Sequence, residues 1–237
     1  MRPRSVLVLL ALSALAVIAG FALFEWATWP DVRALARANP ETTAFIERWR
    51  SEQRAAGKSD RVEWTPVAYE RISPELKLAA IVGEDYGFFW HPGFDVSEMK
   101  DALREAWAEK ELPRGASTIT QQLAKNLWLS PSRNPWRKAK EALLTRALER
   151  RLPKRRILDL YLNVVELGPG IYGVEAASRR YFGRSAADLD AREAAELAGS
   201  LPAPRQWHPG SADRGYRHHV RVILARMARA DAVRRLL

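Results

Sequence analysis

The chain begins with one long apolar run. From Val6 to Phe24, only Ser13 and Gly20 are not clearly apolar. A run of that length can just span the hydrocarbon core of a bilayer as one helix. Arg2 and Arg4 precede it, and Trp26 and Trp29 follow it at the depth where interfacial aromatics sit. The pattern predicts a cytoplasmic tip over 1–4 and a transmembrane helix over 5–28, with everything after it outside the cytoplasm. A cleaved signal peptide is the competing reading, but the run exceeds a usual signal core.

After the anchor the periodicity turns helical. A juxtamembrane segment over 29–65 is polar and Ala-rich, with helical stretches over 31–58. Val62 and Trp64 bring a brief strand-like alternation between Arg61 and Val67. Residues 66–237 then read as one lobed domain. Ser73 caps a helix with Pro74 at its first position, running to about Val82 and delivering Glu84 and Asp85 just past its end. Residues 95–112 mix apolar and charged positions, and Pro113-Arg114-Gly115 reads as a loop. Arg137 to Leu152 places Leu143, Leu144, Ala147 and Leu148 on one face. Lys154 to Leu167 does the same with Ile157, Leu158, Tyr161, Val164 and Val165, and Gly168-Pro169-Gly170 ends it. Asp190 caps a helix that stops before Pro202, and Tyr216, Val220, Ile223 and Met227 mark a last amphipathic helix. The fold class this predicts is mainly α, preceded by one N-terminal transmembrane helix.

Charge narrows the partners. The formal net charge is +10, so a domain tethered beside a membrane should lie against anionic lipid headgroups. An extracytoplasmic position argues against nucleic acid. The chain has no Cys, so it forms no disulfide and no Cys-based zinc finger. Trp90, Trp107, Trp128 and Trp136 crowd one region, and some of these rings suit the membrane interface.

Three clusters carry candidate chemistry. In the first, Glu84 and Asp85 stand at a helix end whose dipole disfavours carboxylates. The apolar run Phe88 to Trp90 can desolvate a carboxylate and lift its pKa, as a general acid or base requires. His91 follows, and by itself reads as structural. In the second, Thr118 and Gln121 form a capping box. The helix it opens carries Thr118, Gln122 and Lys125 on one face, bordered by Gln121, while Ile119 and Leu123 point to a core. Hydroxyl and amides around one ammonium suit an anionic, hydroxyl-rich ligand. In the third, Arg137 and Lys138 can both reach Glu141 along one helix. Taken alone that is an ordinary ion-pair set, but with Lys125 the cations suit a diphosphate.

In this order the clusters resemble the motifs of the peptidoglycan glycosyltransferases, or murein polymerases. Glu84-Asp85, Phe88 and His91-Pro92-Gly93 resemble the first motif. Gly115-Ala116-Ser117-Thr118-Ile119-Thr120-Gln121-Gln122-Leu123-Ala124-Lys125-Asn126 resembles the second, and Arg137-Lys138 with Glu141 the third. Arg156 to Asn163, followed by Gly168 and Gly173, resembles a fourth, and Ala194-Ala195-Glu196-Leu197-Ala198 leading to Pro204 a fifth. The likeness covers roughly Val67 to Arg229. Gly87 departs from the pattern where many members carry a basic residue, and Ala116 where glycine is common. The chain stops soon after the fifth motif, which resembles the monofunctional form without a transpeptidase domain.

The resemblance implies a lysozyme-like fold and the polymerisation of lipid II into β-1,4-linked glycan strands at the outer face of the inner membrane, with release of undecaprenyl pyrophosphate. It implies that Glu84 is the general base and that Lys125, Arg137 and Lys138 meet the pyrophosphate. Glu141 would orient them or hold a metal, with Mg²⁺ or another divalent cation as cofactor. Asp85, His91, Ser117, Thr118, Gln121, Gln122 and Asn126 would complete substrate binding, with Tyr161 and Asn163 as support. Implied partners are lipid II, the growing strand, membrane lipids, and cell-division or cell-wall synthesis proteins. A lysozyme-like hydrolase and a non-catalytic scaffold are the alternatives. Cutting a neutral glycan needs no diphosphate clamp, and a dead enzyme would not keep every proposed group.

Overall fold

A computed structural model describes residues 3–109, 117–130 and 134–237. Side chains at positions 3–11, 103, 105, 106, 108 and 109 are outside that description. The Pro113-Arg114-Gly115 loop and Ala116 also lie outside the described residues. The chain divides into two compact units, residues 1–32 and 33–237.

The first unit is a helix, α1 (Pro3–Ala27). Its described side chains from Leu12 to Phe24 are all exposed. Among the described residues, no helix is long and apolar enough to cross a membrane.

The second unit is mainly helical. Helix α2 (Ala44–Ala55) is capped by Thr43. A two-residue strand β1 (Glu63–Trp64) follows, then α3 (Pro74–Glu84), α4 (Val96–Glu109), α5 (Ile119–Trp128), α6 (Pro135–Arg151) and α7 (Lys154–Val164). Strands β2 (Glu166–Gly168) and β3 (Ile171–Tyr172) lead into α8 (Val174–Phe182), α9 (Ala191–Ala198), α10 (Arg214–Met227) and α11 (Asp231–Arg234).

Two helices organise the core. In α3 every residue from Leu76 to Val82 is buried, and it packs against α9 and α10. Ser73 caps it through the Leu76 amide, as the Ser-Pro start predicts. Helix α5 packs against α6, α7 and α2. Its buried stripe of Ile119, Leu123, Ala124 and Leu127 follows the helical period.

Two expectations needed correction. Leu143 is 50% exposed, and the buried stripe of α6 is Glu141, Leu144, Thr145 and Leu148. Those positions keep the i, i+3, i+4, i+7 spacing, and Leu143 falls about 100° off it. The helix expected to reach Leu167 ends at Val164, because residues 166–168 join a three-stranded sheet of order β1-β3-β2. Strand β1 pairs in parallel with β3, with Glu63 opposite Ile171, and β2 pairs antiparallel with Tyr172 opposite Glu166. Residues 95–112, read only as a mixed segment, contain α4.

Asn163 joins the two halves of this unit. Its Nδ2 donates to the carbonyl of Val67 at 2.9 Å, and its Oδ1 accepts from the Val67 amide at 2.8 Å. Its own carbonyl accepts from Trp64 Nε1 at 2.7 Å. The side chain is 1% exposed, so no water replaces these bonds. Asn163→Ala should lower the free energy of unfolding by roughly 2–4 kcal/mol, since it strands both Val67 backbone groups and opens a cavity. Urea unfolding of the purified chain checks this, and a loss below about 0.5 kcal/mol would contradict it.

Candidate active site

The helix expected to end near Val82 runs on to Glu84, so Glu84 is the last residue of α3 rather than past its end, and Asp85 is the C-cap. The two carboxylates have different environments. Asp85 is buried, accepts from the Ile119 amide through Oδ2 at 2.9 Å and faces His91 Nε2 through Oδ1 at 2.8 Å. His91 Nδ1 accepts from the Gly93 amide at 3.1 Å, so its Nε2 carries the proton that goes to Asp85. Asp85 therefore ties the end of α3 to the start of α5, with His91 as its second anchor.

Glu84 has no such clip. Its Oε2 accepts from Gln122 Nε2 at 2.6 Å, and Gln122 Oε1 accepts from the Tyr161 hydroxyl at 3.0 Å. The Tyr161 side chain is fully buried, and burial holds its phenol well above the ordinary value, so it remains a donor. Burial also raises the pKa of Glu84 above the usual 4.5. The Gln122 hydrogen bond and the Lys125 charge oppose that rise, and the Asp85 charge adds to it. Glu84 is thus a partly desolvated carboxylate with a single fixed amide on one oxygen.

The capping box predicted at Thr118 and Gln121 is present, and it uses most of their polar atoms. Thr118 Oγ1 donates to the Gly93 carbonyl at 2.7 Å and accepts from the Gln121 amide at 3.2 Å. Gln121 Oε1 accepts from the Thr118 amide at 3.0 Å. These bonds aim α5, and Thr118 also lines a cleft. Gln122 and Lys125 lie on the open edge of the helix, and Asn126 is buried beside them.

The third cluster forms as drawn. Glu141 is 3% exposed, its Oε2 accepts from Arg137 Nη1 at 2.8 Å, and its Oε1 pairs with Lys138. Packing of α6 on α5 brings this set to Lys125. Burial lowers the pKa of Lys125 from 10.5, Glu141 and Glu84 pull it back up, and Arg137 and Lys138 push it down. Both Glu141 oxygens face cations. Among the described residues, no three His, Asp or Glu side chains gather as metal ligands. In this arrangement the Glu141 carboxylate is engaged by Arg137 and Lys138.

Two clefts are lined by the hydrogen-bonded pair, one by Glu84 and the other by Gln122. The first, of about 600 Å³, is lined by Glu84, Tyr86, Asp95, Ser117, His219 and Arg226 among others. The second, of about 330 Å³, is lined by Gln122, Lys125, Asn126, Glu166 and Arg205 among others. In that second cleft, Arg205 Nε donates to Glu166 Oε1 at 2.9 Å. Asp95, Arg205, His219 and Arg226 were not singled out from the sequence, where they read as ordinary helix and loop charges. Gly87 has a local reason for being glycine: a Cβ there would stand 2.7 Å from Asp95 Oδ2. Asp95 is held in place by the amides of Ser97 and Glu98, both at 3.0 Å.

The transglycosylase family profile matches residues 51–228. Among similar proteins are the biosynthetic peptidoglycan transglycosylase of Azoarcus sp., 46% identical over 91% of this chain and 94% of its own, and that of Aromatoleum aromaticum, 45% identical over 96% and 95%. The one from Methylobacillus flagellatus is 42% identical over 81% of this chain and 84% of its own. With the profile spanning most of the chain and these relatives matched nearly end to end, the chain belongs to the transglycosylase family.

Proposed function

We propose that this chain polymerises lipid II into β-1,4-linked glycan strands, with Glu84 as the base. The observation that carries this reading is the partly desolvated carboxylate of Glu84 on a cleft wall, bonded to Gln122, with the Lys125, Arg137 and Lys138 cluster on the Gln122 side. The relatives' name, biosynthetic peptidoglycan transglycosylase, supports the reaction class.

The acceptor disaccharide lies in the first cleft with its 4-hydroxyl at Glu84. Glu84 takes the proton while that oxygen attacks the anomeric carbon of the donor. The bond from that carbon to the undecaprenyl pyrophosphate breaks on the opposite face, so the α link becomes β. Lys125, with Arg137 and Lys138, meets the negative charge that grows on the leaving group. Glu141 holds Arg137 and Lys138 in position, and Gln122, fixed by Tyr161, holds Glu84. Ser117 and Asn126 complete the polar walls. The cation cluster disfavours the hydrolase reading, since a neutral glycan leaves nothing for it to neutralise.

The fold is read as lysozyme-like, with α1 as a single inner-membrane span and the domain in the periplasm. Support comes from the exposed apolar side chains of α1, and from Trp90 and Trp107, which are 57% and 87% exposed. Such rings suit the headgroup layer. Lipid-linked substrates require a cleft that opens at a membrane. Cell-division and cell-wall synthesis proteins are its proposed protein partners.

With labelled lipid II, the purified chain should yield long strands. Glu84→Gln should lower kcat at least about a hundredfold with the fold intact, and a near wild-type rate would sink the assignment. Lys125→Ala should cost roughly two to three orders of magnitude in kcat.

The pH profile carries the signs of both shifts. Glu84 must be ionised, so kcat/KM should rise with pH through an acid limb above 4.5. Lys125 must be charged, so the rate should fall through an alkaline limb below 10.5. Because Lys125 holds the Glu84 pKa down, the residual activity of Lys125→Ala should show its acid limb at higher pH than wild type. A limb that stays put or moves to lower pH would contradict the coupling.

A further inference from the structure

The reaction joins two lipid-linked molecules, and each carries a diphosphate and a peptide with free carboxylates. The cation cluster of Lys125, Arg137 and Lys138 serves one of them. The cleft on the other side of Glu84 has a different electrostatic character. Its wall carries Glu84, Asp95 and Glu98, whose charges repel an anionic ligand, and Asp85, already paired with His91. The same cleft is lined by His219 and Arg226, both contributed by α10.

The geometry of Arg226 is specific. Its Nη1 donates to the Val82 carbonyl at 3.0 Å, two residues before Glu84. That carbonyl belongs to the last turn of α3, whose acceptors lack helical partners and which carries the negative end of the helix dipole. One hydrogen bond thus fixes the guanidinium against the helix that bears Glu84. A guanidinium has five N–H donors. Arg226 is exposed on the cleft wall, and Val82 is the hydrogen-bond partner observed for it among the described residues. One helical heptad away, His219 Nε2 is buried with no hydrogen-bond partner among the described residues. Its ring packs against Trp207, with centroids 6.0 Å apart. Burial, then the Arg226 charge, lower the His219 pKa, so the ring is a neutral imidazole with an unpartnered nitrogen, two turns along α10 from the anchored guanidinium and lining the same cleft.

We infer that Arg226 and His219 form an anion-recognising wall for the acceptor, taking a phosphate or a carboxylate of the incoming lipid-linked disaccharide peptide. The inference rests on the polymerase reading above and adds a second cationic locus to it. The two loci divide the work. Lys125, Arg137 and Lys138 meet charge that develops as the donor bond breaks. Arg226 and His219 meet charge already present on the acceptor. Loss of the first set should therefore appear in kcat, and loss of the second in the acceptor KM.

The test separates the substrates. The donor is a lipid-linked glycan whose terminal 4-hydroxyl is blocked with galactose, so that it cannot act as acceptor, and lipid II is the varied acceptor. Arg226→Gln keeps an amide able to bond the Val82 carbonyl and removes the charge. It should raise the acceptor KM about tenfold, with donor KM and kcat within about twofold and the melting temperature unchanged. His219→Phe should raise the acceptor KM in the same direction by less. A second acceptor, with its stem peptide replaced by a neutral lactyl amide, identifies the anion. If the Arg226→Gln effect persists there, the wall takes the diphosphate; if it vanishes, it takes the peptide carboxylates. Should Arg226→Gln fail to fold, Arg226→Lys replaces it. That variant keeps charge and carbonyl contact but loses the planar fork, and should raise the acceptor KM roughly threefold. An unchanged acceptor KM, or one that rises only in step with the donor KM, overturns the inference. A wild-type chain that makes no glycan sinks the polymerase reading instead, so the two failures are distinguishable.

Discussion

The hydrogen-bonded series from Tyr161 through Gln122 to Glu84 is the constraint around which this domain is arranged. It links α7, α5 and α3, three helices that each bury an apolar face in the core. A carboxylate at the end of a helix is opposed by the helix dipole, and burial opposes it further. It is tolerated because an amide of fixed orientation and a nearby ammonium offset part of that opposition. Gln122 cannot rotate freely, since its oxygen is occupied by a phenol that stays protonated. The proton-accepting oxygen of Glu84 therefore has a set direction.

Lys125 and Glu84 form a mutually tuned pair on either side of Gln122. Burial drives both toward their neutral forms, and each charge restrains the other. Glu141 adds to the restraint on Lys125 while holding Arg137 and Lys138. The ion pairs within α6 would be worth only a few tenths of a kcal/mol on a solvated helix. Here their value is positional, because Glu141 is buried and its two partners are pinned near the ammonium that a diphosphate would meet.

Supporting groups divide into those that aim helices and those that face the clefts. Asp85, His91, Thr118 and Gln121 spend most of their polar atoms on one another and on backbone groups near Gly93 and Ile119. Asn163 does the same between α7 and the segment that precedes α3. Such buried, satisfied polar networks specify a geometry rather than add much net stability.

The local sequence determined the helices at Ser73-Pro74, Thr118 and Asp190, because caps and apolar periodicity act within a few residues. It also determined the three chemical clusters, since each lies within one stretch of chain and keeps helical spacing. Other features depended on contacts between distant residues. Past Val164 the chain turns into β2 and β3, and the sheet they form is completed by β1, which pairs with β3 from about a hundred positions away. The exposure of Leu143 and the burial of Glu141 were decided by which side of α6 meets α5. Placement of Arg226 and His219 in the cleft lined by Glu84 required α10 to pack on α3, and nothing within α10 records that neighbour. Periodicity says which face of a helix is buried, but only the tertiary fold says what that face is buried against.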